Sequence, residues 1–599
     1  MNSLKYLNVC KPIIEEIEMS QHGEELEPLP SPASYDRKHG VVKIADKEIR
    51  IGGPKPKPRE GEKLLRETQS LCPVCYRLLP AIVFERNGKV YIRKVCPEHG
   101  EVEELYFGDV KLYHRFAYWE RRPRGTRYVY VKLTAPCPFN CGLCQIHLQH
   151  TALANIVLTN RCDIKCWYCF FFAERAGYVY EPSIDQLRFM VRQLRKQGVT
   201  MAVQLTGGEP LLRDDLVDIV KMLKEEGVRH VQLNTNGLRI AEMMLENPEK
   251  AIGFVRELRQ SGVNTVYLSF DGVSPEVNFK NHWEIPFIFE AFRQGDMKSV
   301  VLVPTVMKSY NDHELGDIIR FAAYNMDIVR GVNFQPVSLT GQMRKQEREK
   351  YRITIPDAIK RIEEQTDGQI HRDAWYPVPI TVPISRFIEA VTGEFKFEMA
   401  NHPHCGTATY VYVERKNGKP VRFIPVTDFI DVDGLMEYLE QKAEELRSVK
   451  SKTIRYLKAL KVISKLKSFI DESKAPKEVN VWKMIFNIFV KRNYKALGVW
   501  HYNFLFLGMM HFMDLYNYDV QRVMRCNIHY LTPDGRVIPF CTFNVLNDLY
   551  RDFIQKQYKI PLDEWVKKHG EFKTYKRDVK RLESHELYKK AYEDFLKKS

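Results

Sequence analysis

The sequence lacks the two kinds of segment that would take a chain to or through a membrane. The first twenty residues, MNSLKYLNVCKPIIEEIEMS, contain no continuous apolar stretch of the kind that forms a signal peptide. Residues 496–513 carry no charge and approach the length of a membrane span, but His501, Asn503 and His511 interrupt them. We therefore expect a cytoplasmic protein that is either free or peripheral at a membrane surface.

The sequence also lacks the dispersed cysteines of a secreted, disulfide-bonded protein. The chain has 599 residues and 13 cysteines, an odd number, and nearly all of them occur in tight groups. Secreted proteins that depend on disulfides are usually shorter, and their cysteines are more evenly spread. Grouped cysteines in a reducing compartment indicate metal ligands instead.

Balanced charge is missing as well. Lys and Arg number 91 against 76 Asp and Glu, which gives a formal net charge of +15. This excess fits a solvated surface rich in both signs. It fits an anionic partner equally, whether nucleic acid, a phosphorylated substrate or an anionic membrane face. Charge alone does not choose between these interpretations.

A metal site is predicted in the N-terminal part of the chain. Two β-type runs, residues 81–85 and 90–94, flank Asn87-Gly88, which is a strong hairpin signal. Three thiols and one imidazole at the base of this hairpin suit a tetrahedral zinc or iron ion, and their spacing does not separate the two metals. The pattern resembles a zinc-ribbon or rubredoxin-like knuckle. Its candidate ligands are Cys72, Cys75, Cys96 and His99.

From residue 155 onward, strand patterns alternate with amphipathic helical patterns. Alternation of this kind, with continuous apolar strands, indicates a parallel α/β sheet. Six such units predict a partial (β/α)6 barrel with an active site at the carboxyl ends of its strands. The six apolar runs are residues 155–160, 201–208, 230–237, 265–272, 300–306 and 332–338.

We divide the chain into four parts on these patterns. Residues 1–60 form a polar N-terminal arm, and residues 61–150 hold the knuckle and a first cysteine triplet. Residues 151–345 form the partial barrel, and residues 346–599 form a C-terminal α+β region. Hairpins are predicted in this last part at Asn417-Gly418 and Asp534-Gly535, and the stretch between them, residues 436–518, is predicted to be helical.

Two cysteine triplets share the spacing C-x3-C-x2-C. Three closely spaced thiolates hold three irons of a cubane cluster and leave the fourth iron open to another ligand. The second triplet follows the first barrel strand, and the next three strands end in LTGGEP, NTNG and SFDG. The triplets are Cys137, Cys141 and Cys144, then Cys162, Cys166 and Cys169.

These motifs, in this order, resemble the radical S-adenosylmethionine (radical SAM) enzymes over residues 150–340. The resemblance implies a [4Fe–4S] cluster on Cys162, Cys166 and Cys169 that binds S-adenosylmethionine and cleaves it to a 5′-deoxyadenosyl radical. It also implies a low-potential electron donor such as ferredoxin. The positions that would contact S-adenosylmethionine are Tyr168, Thr206, Gly207, Gly208, Glu209, Asn234, Asn236, Ser269 and Asp271.

Further cysteines predict auxiliary clusters. The upstream triplet has no GGE motif of its own, so we interpret it as an auxiliary [4Fe–4S] site. Alternatively, Cys141 and Cys144 complete a four-thiolate site with Cys72 and Cys75. A third set resembles the auxiliary-cluster domains that follow many radical SAM barrels, and it consists of Cys405, Cys526 and Cys541. Its fourth ligand is open among His402, His404, His529, Cys10 or none.

The apolar segment at residues 496–513 bears on the substrate, because a buried helix there would line an apolar pocket. The whole chain resembles the archaeal tetraether lipid synthases, so we favour radical coupling of the terminal methyl carbons of an archaeal diether lipid at a membrane surface. The alternative is methylation of a dihydropterin in methanopterin biosynthesis. This activity is assigned to members of a homologous group. A zinc-ribbon protein that binds nucleic acid is disfavoured by the barrel motifs.

Overall fold

A computed structural model of the chain describes residues 28–169, 176–198, 202–340, 347–491, 494–572 and 574–596. Residues 1–27 of the N-terminal arm, Cys10 among them, therefore lie outside the described residues. The strands are β1 Ala33–Asp36, β2 Val41–Ile44, β3 Lys47–Arg50, β4 Lys63–Leu71, β5 Leu78–Arg86, β6 Lys89–Cys96, β7 Gly100–Phe107, β8 Leu153–Thr159, β9 Tyr178–Tyr180, β10 Ala202–Gly207, β11 His230–Thr235, β12 Val263–Ser269, β13 Val300–Val303, β14 Thr305–Val306, β15 Val329–Pro336, β16 Tyr376–Pro377, β17 Gly406–Lys416, β18 Lys419–Pro425, β19 Phe504–Met510, β20 Ile528–Leu531, β21 Val537–Pro539 and β22 Lys559–Pro561.

The helices of the described residues are numbered in the same way. They are α1 Val110–Tyr118, α2 Ile184–Arg195, α3 Leu216–Glu225, α4 Leu238–Glu246, α5 Pro248–Ser261, α6 Ile285–Gln294, α7 Leu315–Tyr324, α8 Arg348–Tyr351, α9 Ile355–Gln365, α10 Val382–Thr392, α11 Val432–Arg447, α12 Lys452–Lys465, α13 Val481–Lys491, α14 Tyr494–Asn503, α15 Val520–Met524, α16 Phe540–Val545, α17 Arg551–Gln555, α18 Leu562–His569, α19 Val579–Ser584 and α20 Glu586–Leu596. All of them are too short or too polar to cross a bilayer.

The central element is one large sheet. Six of its strands, β8, β10, β11, β12, β13 and β15, are neighbours in that order and run parallel. The predicted partial (β/α)6 barrel is therefore confirmed. The intervening helices cover one face of these strands because their apolar sides bury against alternate strand residues such as Val203 and Leu233.

Both edges of the barrel sheet are completed by strands from the C-terminal part of the chain. On one edge β20 pairs in parallel with β8, and on the other β19 pairs in parallel with β15. Beyond β19, the antiparallel strands β17, β18 and β16 continue the sheet. The hairpins predicted at Asn417-Gly418 and Asp534-Gly535 are both present, as β17–β18 and β20–β21.

The stretch predicted to be helical over residues 436–518 is only partly so. Helices α11 to α14 occupy its first part, but residues 504–510 form strand β19. Leu505 and Met509 join the main core through one face of this strand, so they do not line a separate pocket. A short apolar run does not distinguish a strand from a buried helix by periodicity, and here the open edge of β15 decides in favour of the strand.

Part of the predicted N-terminal arm is also structured. Residues 33–50 form a three-stranded antiparallel sheet, β1–β2–β3, whose side chains Val42, Ile44 and Ile49 are buried. These three side chains pack in one apolar cluster with Leu71 and Leu78, so burial against the next sheet orders the segment. That next sheet, β4–β5–β6–β7, contains the predicted hairpin with Asn87-Gly88 at its turn.

Candidate active site and metal centres

The N-terminal knuckle is assembled as predicted. Its four ligand atoms all lie within 4.8 Å of one another. The imidazole Nδ1 of His99 is 3.6 Å from the Sγ of Cys72 and 3.5 Å from that of Cys96, and the Sγ atoms of Cys75 and Cys96 are 3.9 Å apart. The ligands lie on the β4–β5 and β6–β7 turns, which meet at one end of the sheet. A closed set of three sulfurs and one nitrogen fits a single zinc or iron ion.

This arrangement excludes the alternative pairing of the first cysteines. Cys72 and Cys75 are already matched with Cys96 and His99, so they are not available to complete a site with Cys141 and Cys144. Among the described residues, the knuckle is the set of metal-ligating side chains whose ligand atoms all lie within 4.8 Å of one another. The other cysteine sets are gathered more loosely.

The cysteine loop of the barrel begins directly after β8. All three cysteines of this loop, Cys162, Cys166 and Cys169, are partly buried. Cys169 lies close enough to Cys162 and to Cys166 to interact electrostatically with both thiols. The backbone NH of Cys169 donates to the carbonyl of Cys166 at 3.2 Å. Burial raises the pKa of Cys166 to about 12, so this thiol would ionise only when a metal binds it. Three such thiols on one loop fit three irons of a cubane cluster.

The two glycines of LTGGEP hold the start of this loop. A Cβ on Gly207 would lie 2.1 Å from the carbonyl oxygen of Thr159, and one on Gly208 would lie 2.0 Å from that of Arg161. The NH groups of Gly208 and Glu209 donate to these carbonyls at 2.7 and 2.8 Å. Only glycine permits this backbone contact. Their predicted contact with the amino group of S-adenosylmethionine stays a prediction beside this structural role.

Glu209 is buried, and its carboxylate accepts three hydrogen bonds. They come from the Thr235 hydroxyl at 2.7 Å, the Leu211 NH at 3.0 Å and the Asn236 NH at 2.8 Å. The Asn236 side chain in turn donates to Asp163 at 2.7 Å. Burial, with the Asp163 carboxyl nearby, raises the pKa of Glu209 to about 8. The two acidic groups therefore tie β10, the end of β11 and the cysteine loop into one unit.

A second charged group lies on the other side of the cysteine loop. Asp271 is fully buried after β12, accepts a hydrogen bond from the Tyr168 hydroxyl and lies 3.0 Å from the Nζ of Lys280. Burial lowers the pKa of Lys280, but Asp271 and Cys166 outweigh this and leave it raised. A fixed ammonium here would offset the negative charge of iron-bound thiolates. The predicted contacts of Asp271 and Tyr168 with S-adenosylmethionine stay predictions, and sequence reasoning missed Lys280.

The remaining predicted contacts lie at the carboxyl ends of neighbouring strands. Asn234 on β11 donates to the Thr206 hydroxyl at 3.4 Å, and its Oδ1 is buried without a hydrogen-bond partner among the described residues. Ser269 ends β12, and its carbonyl accepts from Asn281 at 2.9 Å. An unsatisfied buried amide oxygen is costly, so Asn234 marks a place for a polar ligand such as S-adenosylmethionine.

The barrel interior is lined by amides and a phenol below this rim. Leu233 packs under the helices, so its neighbours Gln232 and Asn234 stand on the opposite face of β11. Gln204 of β10 is the register partner of Gln232, and Tyr267 of β12 is that of Asn234. The Gln232 side chain hydrogen-bonds Tyr267, but its Oε1 is buried without a partner in the described part of the chain. Sequence reasoning missed this lining, although the alternation of polar and apolar residues in VQLNT signals it.

The upstream triplet lies in a second apolar core. Cys141 and Cys144 are buried, and together with Cys137 they line a small cavity beside His147. The Sγ of Cys141 is 3.7 Å from the hydroxyl of Thr542. Burial raises the pKa of Cys144 to about 11. The structure therefore gathers the three predicted ligands of this set around one cavity.

The third set is also gathered. Cys405 and Cys526 are electrostatic neighbours of Cys541, and burial raises the pKa of Cys541 to about 11. Two donors reach its sulfurs: the Nε of Arg522 lies 3.2 Å from the Sγ of Cys405, and the NH of Met513 lies 3.5 Å from that of Cys541. Hydrogen bonds to sulfur of this kind are a common way to tune iron–sulfur clusters.

The three cysteine sets other than the knuckle each have a member in or against one apolar cluster. Cys141 belongs to this cluster, and Cys137, Cys169 and Cys541 pack against it. Tyr518 lies inside it, and its hydroxyl is 3.1 Å from that of Thr542, which follows Cys541. The sets that sequence reasoning treated separately therefore adjoin one another.

Comparison with known proteins agrees with this site. A family profile described as the radical SAM superfamily matches residues 156–322, and one described as the HMPTM N-terminal zinc ribbon domain matches residues 64–108. The 7,8-dihydro-6-hydroxymethylpterin dimethyltransferase of Methanocaldococcus jannaschii is 44% identical over 512 residues, which cover 84% of this chain and 97% of that protein. The chain belongs to the radical SAM family of this dimethyltransferase.

More distant relatives match about a third of the chain. The GTP 3′,8-cyclase of Limosilactobacillus fermentum is 29% identical over 204 residues, which cover 32% of this chain and 57% of the cyclase. The crystal structure of Streptococcus suis SuiB bound to precursor peptide SuiA is 18% identical and covers 38% of this chain and 47% of its own, with a TM-score of 0.29. The sequence identity of this chain to these two proteins is thus far below its identity to the dimethyltransferase.

Proposed function

We propose that this radical SAM enzyme methylates a dihydropterin. The support comes from the Methanocaldococcus jannaschii relative, whose name states that activity and which aligns over 97% of its length. This relative favours the pterin alternative over the lipid coupling that sequence reasoning preferred. We further propose a low-potential electron donor such as ferredoxin, a cytoplasmic location, and an auxiliary [4Fe–4S] cluster at each of the other two cysteine sets.

The amide lining of the barrel is the observation that carries the proposal. A pterin ring presents N–H and carbonyl groups along its edge, which amide side chains recognise well. The buried Oε1 of Gln232 and Oδ1 of Asn234 have no partner in the described residues, so each could accept an N–H of such a ring. Tyr267 on β12, the register partner of Asn234, adds an aromatic side chain beside these amides.

The chain's own residues define the roles in such a reaction. Cys162, Cys166 and Cys169 would hold the cluster. Bound S-adenosylmethionine, given one electron, would split into methionine and a 5′-deoxyadenosyl radical that takes a hydrogen atom from a C–H bond and leaves as 5′-deoxyadenosine, while a further S-adenosylmethionine would supply the methyl group. Lys280, held by Asp271, keeps positive charge beside the thiolates. The amides of the interior would orient the substrate beneath the rim.

The test is an anaerobic assay with reconstituted protein, S-adenosylmethionine, dithionite and 7,8-dihydro-6-hydroxymethylpterin. We expect methylated pterin by mass spectrometry, and we expect Gln232→Ala to form at least ten times less while it still releases 5′-deoxyadenosine. Gln149→Ala is the control, because Gln149 also has a buried amide atom without a partner among the described residues, but lies before β8. Equal loss in both variants would show that Gln232 has no specific part in binding.

Radical coupling of diether lipids is the second candidate, favoured by one surface. Helix α12 carries Ile454 and Leu457 with exposed fractions of 51% and 61%, amid exposed lysines including Lys458 and Lys461. A basic helix with exposed apolar side chains suits an anionic membrane surface. In parallel assays with diether lipid, coupled lipid without any methylated pterin would replace the pterin proposal with this one.

A further inference from the structure

We propose that His511 is the fourth protein ligand of the cluster held by Cys405, Cys526 and Cys541. This inference rests on the proposed auxiliary cluster at that set, but not on the identity of the substrate. It gives the third cluster a closed set of three thiolates and one imidazole, unlike the open cluster of the barrel loop.

The sheet places His511 directly beside Cys405. Strands β17 and β19 are antiparallel, with Gly406 opposite Met510, and the ladder continues because the His511 NH donates to the Cys405 carbonyl at 3.0 Å. Residues opposite one another in an antiparallel pair carry their side chains on the same face, with Cβ atoms about 5 Å apart. The imidazole of His511 and the thiol of Cys405 therefore stand side by side.

The chain after β19 then passes a second ligand of the set. The NH of Met513, two residues beyond His511, lies 3.5 Å from the Sγ of Cys541. Arg522 joins the two sides, since its guanidinium donates to the Cys405 sulfur at 3.2 Å and to the His511 carbonyl at 2.5 Å. One buried side chain thus fixes the backbone of the proposed imidazole ligand and the sulfur of a thiolate ligand.

The His511 ring has an unused nitrogen. The side chain is only 2% exposed, and within the described residues its Nε2 is buried with no hydrogen-bond partner. A buried nitrogen without a partner is costly, so a further group such as a cluster iron would complete its surroundings. Histidine is a known replacement for cysteine at iron–sulfur clusters.

The histidines that the sequence nominated are less suitable. His402 accepts at Nδ1 from the His404 NH at 3.3 Å. His529 uses Nδ1 with the Thr151 hydroxyl at 2.8 Å and Nε2 with the Cys526 carbonyl at 3.0 Å. His404 donates through Nε2 to the Tyr113 carbonyl at 3.0 Å, and its ring stacks on the Tyr113 ring with a centroid distance of 3.9 Å. Its Nδ1 is nevertheless unpartnered among the described residues, which makes His404 the competitor to test.

The experiment measures nitrogen coupling to the reduced clusters. Full-length protein is produced with ¹⁵N-labelled histidine, reconstituted anaerobically without S-adenosylmethionine, reduced, and measured by pulsed electron paramagnetic resonance. We expect a directly bound ¹⁵N coupling in the wild type. It should vanish in His511→Ala and His511→Cys and persist in His404→Ala, while iron content in His511→Cys stays at the wild-type level.

Chemical rescue provides the second measurement. In labelled His511→Ala, added ¹⁴N-imidazole should occupy the vacated position and produce a ¹⁴N coupling, which the same addition to the wild type should not do. His511→Cys should also lower the midpoint potential of one cluster, because a thiolate adds negative charge where the imidazole was neutral.

Three results would overturn the assignment. They are a wild type without histidine coupling, a coupling lost in His404→Ala but kept in His511→Ala, and an iron content unchanged by Cys405→Ala. The readouts do not depend on turnover. A protein that shows the coupling but methylates no pterin would refute the proposed substrate and leave the ligand in place.

Discussion

The knuckle and the cysteine loop of the barrel show two ways in which one chain gathers metal ligands. The knuckle draws its four ligands from two turns of a rigid antiparallel sheet, and their ligating atoms already lie within 4.8 Å. The barrel loop supplies three thiols from a single segment after β8, with Lys280 beside them. The first set has four protein ligands, whereas the second has three thiols from one loop with a buried ammonium beside them.

This difference separates a structural site from a catalytic one. A metal with four protein ligands has no position left for a substrate, so its binding energy stabilises the fold. A cluster with three protein ligands keeps one iron for a small molecule. The knuckle should therefore matter to stability, and the barrel loop should matter to chemistry.

The largest effect should come from removing a thiol of the barrel loop. Cys166→Ala should abolish reductive cleavage of S-adenosylmethionine, because the three-thiolate set is lost. Release of 5′-deoxyadenosine, measured by liquid chromatography, checks this. In Cys141→Ala, uncoupled cleavage should continue while methylated product falls. The opposite pattern, with cleavage lost in Cys141→Ala and kept in Cys166→Ala, would reverse the roles of the two triplets.

Removing a knuckle thiol should act on stability instead. Cys75→Ala should lose one metal ion per chain and lower the melting temperature, because structural metal sites contribute directly to folding energy. Cleavage of S-adenosylmethionine per folded molecule should stay close to the wild-type value. Metal analysis and calorimetry measure the first two effects. If cleavage falls with the metal in correctly folded protein, the knuckle has a part in electron transfer, and the division drawn above is wrong.

An intermediate effect is expected from the charge beside the barrel loop. Lys280→Met should slow cleavage about tenfold, or ~1.4 kcal/mol, because the buried Asp271 and the thiolates lose their compensating cation. The potential of the barrel cluster should fall, since its net charge becomes more negative. Lys280→Arg should restore most of the rate. Equal loss in both variants would indicate a packing defect rather than a charge effect.

The smallest effect concerns an ion pair in the knuckle sheet. The buried Glu62 accepts from Arg93 at 2.5 and 2.8 Å, and this hydrogen bonding lowers the pKa of Glu62 to about 2. Because the folded pKa lies below the unfolded one, the stabilisation is complete above pH ~4.5 and disappears as the pH falls towards ~2.

We therefore expect Glu62→Gln to be less stable by about 2 kcal/mol at neutral pH, with the gap to the wild type closing in acid. Thermal unfolding of both proteins from pH 7 to pH 3 measures this. Acid release of the knuckle metal affects both proteins, so their difference isolates the ion pair. A gap that does not change with pH would mean that Glu62 acts through its shape alone.

The sequence was informative wherever a local pattern carried the constraint. Asn87-Gly88 predicted a hairpin because only such residues accept its backbone angles, and the spacing of the knuckle ligands followed from it. The six barrel strands were predicted because short apolar runs alternate regularly with amphipathic helical patterns. The cysteine spacing, GGE and the strand ends were enough to place the cluster loop.

Long-range contacts were beyond such reasoning. Strand β19 was predicted as helix because its pairing partner, β15, lies far away in the chain and left no local signal. Lys280 was missed for another reason: it lies only nine residues after Asp271, but the irregular turns between them have no periodic pattern that predicts their contact. His511 was seen as an interruption of an apolar segment, whereas the ladder with β17 places it beside a cysteine.

The pairing of C-terminal strands with both edges of the barrel sheet also affects how the protein is made. Asn155 on β8 hydrogen-bonds His529, which lies 374 residues further along the chain. At a synthesis rate of about 5–20 residues per second, the edge of β8 waits roughly 20–75 seconds for that partner. During this time the nascent chain presents an unpaired strand edge and a set of reactive thiols. We therefore expect iron–sulfur assembly to follow release from the ribosome, with the growing chain shielded until then by cellular chaperones.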